Sequence, residues 1–195
     1  MIYSIEFFRQ RIGLDSSDGS RDADIEVALS TAFGFAELYC DRKFEWQAES
    51  ETFTHFVGDV VSLIRFPLTD IIDVTGTELE YHFNAMTGLI VFDGCVRAHE
   101  LIIDYEGGYH DTALPEHPYT WPPALAFALL VIFDNCWSAL NGQSSSVATG
   151  MVKSIKAGAD LGITYETANA TTNDYGGLIP AAAAAHLNLL KREKA

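Results

Sequence analysis

The sequence predicts an α+β fold: a helical layer, an antiparallel sheet inserted into it, a late hairpin and a C-terminal helix. Three observations predict it. Apolar residues recur every three or four positions before residue 43 and again over 122–140, the period of a helix with one buried face. From Phe44 the period falls to two, with Phe44, Trp46 and Ala48 alternating against Glu45, Gln47 and Glu49. Between 44 and 106, short β-branched and aromatic runs are separated by Pro67, Asn84, Gly88 and Gly94, residues that end strands or make turns.

Taken in order, Ile5, Phe8 and Ile12 predict a helix over 4–12, which the turn formers of Asp15-Ser-Ser-Asp-Gly-Ser20 break. A second helix over 23–42 starts from Asp22 as N-cap, with Asp24 and Glu26 in its first turn. Ile25, Leu29, Ala32, Ala36 and Tyr39 form its apolar stripe, and Arg42 and Lys43 stand at its negative end. The strands follow as short runs within 44–106, and Gly107-Gly108 ends the last of them. Residues 111–119 form a surface loop. Trp121-Pro-Pro123 opens a helix over 122–140, since proline at the first helical position gives up only an amide that has no partner there. Leu125, Leu129, Ile132, Cys136 and Leu140 share one face, and Phe127, Leu130, Val131 and Phe133 make the other sides apolar, as in a buried helix. Strands within 151–166 form a hairpin turning at Ala157–Asp160. Residues 1–166 make the core domain, 167–177 a polar linker and 178–195 an Ala-rich terminal helix.

Composition narrows the function. A net charge of −15 disfavours tight binding to a phosphate backbone, which needs clustered Lys and Arg to release counterions. Cys40, Cys95 and Cys136 are odd in number and widely spaced, the pattern of free thiols in a reducing compartment rather than of a disulfide framework. The start lacks the basic and apolar regions of a signal peptide, and the apolar run 124–133 is too short to span a bilayer.

No catalytic or metal-binding constellation is expected, and no cofactor. His110, Asp111, Glu116 and His117 share one loop but lack a recognised ligand spacing; they define the alternative of a small metal-dependent hydrolase. The pairs Glu49/Glu51 and Glu78/Glu80 have the spacing of a solvated sheet face, and Ser144–Ser146 lack a nucleophile elbow. Two segments suggest partners instead. The terminal helix carries Ile179, Ala183, Leu187 and Leu190 on one stripe, followed by the cations Lys191, Arg192 and Lys194. So short a helix is marginal alone, so it docks either on its own domain or in a groove of another protein. The 151–166 hairpin, with Lys153, Ile155, Lys156, Asp160, Ile163 and Tyr165, offers an open edge to a neighbour.

The order and spacing of these pieces resemble the head–tail connector (adaptor) proteins of tailed bacteriophages. The resemblance is carried by the helix from Asp22 to Phe44, by Phe66-Pro-Leu-Thr-Asp-Ile-Ile-Asp-Val74, by Met86-Thr-Gly-Leu-Ile-Val91 after Tyr81, by Ile102-Ile-Asp-Tyr-Glu-Gly-Gly-Tyr109, by Pro122-Pro-Ala-Leu125, and by Lys153–Asp160 with Ile163-Thr-Tyr165. It implies a structural virion protein, made in the host cytoplasm, forming a twelvefold ring below the portal in the particle's neck. It implies the terminal helix as the portal-docking element, the hairpin as an inter-ring or inter-subunit contact, and an acidic lumen through which DNA passes without specific binding. A stopper or tail-completion ring is the neighbouring alternative, and the resemblance implies no membrane and no enzyme activity.

Overall fold

The computed structural model describes residues 3–141, 152–156, 162–165 and 179–192, the two middle stretches by their backbone alone. It contains four α-helices, α1 (Ile5–Arg11), α2 (Asp22–Cys40), α3 (Pro123–Leu140) and α4 (Ala181–Leu187), the last followed by a 3-10 turn at Asn188–Leu190. The strands are β1 (Gln47–Ser62), β2 (Leu68–Thr75), β3 (Tyr81–Asn84), β4 (Leu89–Gly107), β5 (Val152–Lys156) and β6 (Gly162–Tyr165). The fold is α+β. Contacts group the chain into a helical unit, 1–39 with 122–190, and a sheet unit, 40–121 with 191–195.

In the helical unit, Ser4 caps α1 by accepting the Phe7 amide at 3.3 Å. Phe8 is buried and its ring lies 4.4 Å from Phe133 on α3, while Arg11 forks onto Asp134 at 2.5 and 2.8 Å. Asp22 is the first residue of α2 rather than its N-cap. Its carboxylate is taken by Arg9 in a two-point pair at 2.5 and 2.8 Å, which draws its pKa below the ordinary value, and Arg21 supplies the first helical acceptor, to Ile25. The buried stripe of α2 is Ile25, Ala28, Ala32, Ala36 and Cys40; Ile25, Ala32 and Ala36 are on the expected face, while Ala28 and Cys40 take the fully buried places expected of Leu29 and Tyr39, which are half-buried. On α3, Leu125, Ala128, Leu129, Ile132, Phe133 and Cys136 are buried. By length and composition this helix could cross a membrane. It is not buried all round, however: Phe127 is 45% exposed. Its wet side is what a core helix with one packed face has.

The sheet has the order β1-β4-β2, with β3 on the same edge of β4 as β2. One expected break, Gly94, is absent: it lies inside the 19-residue β4. Gly58-Asp59 likewise lies inside the single 16-residue β1, and a register shift between Gly58 and Val60 absorbs the irregularity as a bulge. The core behind the sheet is Val61, Leu63, Phe66, Leu68, Ile90, Phe92, Val96, Leu101, Ile103 and Tyr105. Arg42 follows the end of α2 at Cys40 by two residues, and its buried guanidinium lies 3.3 Å from the centre of the Phe66 ring.

Glu49 and Glu51 are not on a solvated face. They point to the core side of β1, opposite Tyr105 and Ile103, where Arg65, itself buried, pairs with Glu49 at 2.8 Å and donates to the Glu45 carbonyl. Glu51 accepts from the Tyr105 hydroxyl and from the Ile64 amide at 2.8 Å, and Tyr105 in turn receives the Arg65 amide at 3.2 Å. Burial raises the Glu51 pKa, partly offset by those donors. A raised folded-state pKa contributes stability that is present at acid pH and lost as pH rises through it. Glu51→Gln, which keeps the accepting oxygen without the charge, is therefore expected to melt higher than wild type at neutral pH. The advantage should shrink as pH falls below the ordinary carboxylate range. Identical melting curves at every pH would show that Glu51 is effectively solvated.

Candidate assembly surfaces

The sheet unit is strongly acidic: between residues 40 and 121 only Arg42, Lys43, Arg65 and Arg97 are basic, against fifteen Asp and Glu. Four of these acids stand together on the outward face of the sheet. Asp70 stands directly opposite Glu106, and Asp73 opposite Asp104, two like-charge cross-strand pairs in succession. Such pairs cost a few tenths of a kcal/mol each or more. Asp73 is steadied by the Thr75 hydroxyl at 3.0 Å and Asp70 by the Ile71 amide at 2.9 Å, while the β1 positions opposite this stretch of β4 are uncharged: Ala48, Ser50, Thr52 and Thr54. The arrangement accepts self-repulsion and makes a local negative patch of four carboxylates.

A second surface is the outer edge of β3. All four of its residues are exposed, and Leu79, Tyr81, Phe83 and Met86 bring apolar area to the surface beside Glu78 and Glu80. Tyr81 keeps an edge-on contact with buried Phe92.

The C-terminal segment is the third. Ile179, Ala183 and Leu187 are buried in the helical unit, where α4 packs against α3 and the His186 ring lies 4.7 Å from Phe127. The stripe identified in the sequence is thus covered by its own unit in the isolated chain. Leu190 is half-buried and Lys191 exposed. Arg192 belongs to the sheet unit: its amide donates to the Cys40 carbonyl at 2.9 Å, and its guanidinium to Ser62, with the Nε–Oγ distance 2.9 Å. Leu189, which the stripe passed over, is the most exposed large apolar residue of the tail at 77%. No periodicity could single it out, because it is conspicuous only once its neighbours are covered.

β5 and β6 form the late hairpin at the expected place, pairing Val152 with Tyr165 and Ile155 with Ile163. The side chains of Lys153, Ile155, Lys156, Ile163 and Tyr165, together with Asp160, Lys194 and the 167–177 linker, lie outside the described residues.

The histidine loop is brought together but not as a catalytic group. His117 packs 3.9 Å from Trp46 and His110 lies 5.3 Å from His117, an aromatic cluster, while Asp111 accepts from the Trp121 indole at 2.8 Å. Glu116 is exposed. Among the described residues no group of three or more His, Cys, Asp or Glu is arranged to hold a metal ion. Burial pushes the Cys40 and Cys136 thiols up to about 12, the state of inert core thiols.

No protein-family model matches the sequence, and no curated protein matches it. Solved structures do match. One, the neck of an empty gene transfer agent particle computed with C6 symmetry, aligns with a TM-score of 0.59 and 13% identity over 100% of this chain and 91% of that one. Another, the neck of the native particle computed with C12 symmetry, gives 0.53 and 13% over 98% and 90%. At that identity the likeness is one of fold, and it covers nearly all of this chain and about nine-tenths of the other: this protein has the fold of a component of those particle necks.

Proposed function

We propose that the protein is a structural component of the neck of a tailed-phage-like particle, an adaptor that forms a twelvefold ring below the portal, joins head to tail and continues the DNA channel. The observation that carries the proposal is the end-to-end fold likeness to neck proteins, whose particles were computed with C6 and C12 symmetry. The Asp70, Asp73, Asp104 and Glu106 face supports a channel wall, because a fixed negative surface keeps phosphates moving rather than bound. A reconstruction with that face turned away from the channel would remove it from this role.

The C-terminal segment, Ile179, Ala183, Leu187 and Leu190 with Lys191, Arg192 and Lys194, is proposed as the portal-docking element. Docking through the stripe requires α4 to leave α3, whereas Leu189 and Lys191 are accessible at once. Deleting 180–195 is for that reason a poor test, since it also uncovers α3. Electron microscopy of the purified chain with its portal, compared with Leu189→Asp, is the direct experiment. A ring stacked on the lower face of the portal is expected for wild type. At least tenfold weaker binding at unchanged melting temperature is expected for the variant, since an exposed leucine contributes nothing to the free fold. Binding to tail components instead would place the chain at the stopper or tail-completion level, and equal binding by the variant would take Leu189 out of the interface. In this role the protein is part of the virion, assembled in the host cytoplasm, and needs no cofactor.

A further inference from the structure

We propose that the open edge of β3 receives the β5–β6 hairpin of a second copy of this chain, strand against strand, and that this is the subunit contact of the ring; the inference rests on the ring reading above. The Asp93 amide donates to the Glu80 carbonyl at 2.9 Å, which makes 80·93 a hydrogen-bonded pair of the antiparallel ladder. By alternation, residues 82 and 84 face β4, and the amides and carbonyls of Tyr81 and Phe83 face outward. Among the described residues no strand pairs with them on that side. Protective devices of exposed edges, lysine and proline, are absent from 78–84; the edge instead combines half-exposed Tyr81 and Phe83 with Glu78 and Glu80.

The hairpin has the complementary character. β5 reads Val-Lys-Ser-Ile-Lys, five residues against the four of β3, with Lys153 and Lys156 and no acid. β5 and β6 form a two-stranded sheet of their own, an arrangement that is marginal in water until a third strand is added. Edge and hairpin are different patches of one chain, so their contact is heterologous. It leaves one free edge and one free hairpin after every addition, so it can propagate past a dimer, and it closes as a ring when the rotation between successive copies divides a full turn.

The experiment is a charge swap read by sedimentation velocity on the full chain over a wide concentration range. One double variant is Glu78→Lys with Glu80→Lys, which has a basic edge and a basic hairpin. The other is Lys153→Glu with Lys156→Glu, which has an acidic edge and an acidic hairpin. Wild type is expected to self-associate, and each double variant alone to associate at least tenfold more weakly. An equimolar mixture is expected to regain association, because every contact between alternating copies is again of opposite sign. A wild type that stays monomeric, variants that associate as wild type does, or a mixture that regains nothing each overturns the proposal. The portal experiment separates the two readings: rings of the Glu78→Lys, Glu80→Lys variant on the portal equal to wild type would leave the neck role standing and refute this contact. Restored association in the mixture without portal binding would do the reverse.

Discussion

Leu129→Asp is expected to abolish cooperative folding of the helical unit. Leu129 is 5% exposed on the packed face of α3, between Leu125, Ile132 and Phe133. The substitution removes a leucine's burial, worth about 2 kcal/mol, and buries a carboxylate without a partner, at a cost of several kcal/mol more. The total is comparable to the whole stability of a typical domain, about 5–15 kcal/mol. Leu129→Met, nearly equal in volume, should cost less than about 1.5 kcal/mol and serves as the control. The measurement is urea unfolding followed by circular dichroism; an aspartate variant with the wild-type midpoint and slope would mean that this face of α3 is open to water.

Gly108→Ala should produce the second large effect, in the sheet unit. Gly108 has φ +106°, and a Cβ there would lie 2.6 Å from the Glu45 carbonyl oxygen and 2.7 Å from the Trp46 nitrogen. Those atoms are backbone, locked by Tyr109 N–Phe44 O at 2.7 Å and Trp46 N–Tyr109 O at 3.0 Å, so they cannot yield as a side chain can. Conformational strain plus a displaced ladder should cost about 3 kcal/mol or more. Gly13→Ala isolates the strain alone, because Gly13 has φ +83° with nothing within 4 Å of its absent Cβ; it should cost about 1–2 kcal/mol. Equal losses at the two sites would show that the Gly108 cradle relaxes.

These two positions mark the limits of what the residues alone disclose. The helical period placed α3 and most of its packed face, because burial there depends on neighbours three and four positions away. Gly108 was legible as a strand end but not as the point where the backbones of 44–46 and 67 close in, since those partners are distant in sequence. The same cause hid the inward turn of Glu49 and Glu51: a carboxylate on a strand reads as solvated until Arg65 and Tyr105 are seen beside it. Gly94 and Gly58-Asp59 are local turn formers, and local propensity lost to the long pairing of β1 with β4, which turned both into irregularities within strands. The stripe of the terminal helix was readable and the hairpin fell where the alternation put it. Which surface each meets depends on a partner that no periodicity encodes.

The uneven backing of β4 has a mechanical consequence. β2 supports it over 102–107 and β3 over 89–92, while between them the ribbon is only β1 and β4 wide. Bending stiffness falls with the number of strands crossing a section, so the sheet is a plate with a waist. The waist also holds the register shift at Gly58, the left-handed His55 (φ 53°) and the stacked rings of His55 and His99. A load applied at one end of the ribbon is taken up as flexure there, and the two broad ends keep their shape.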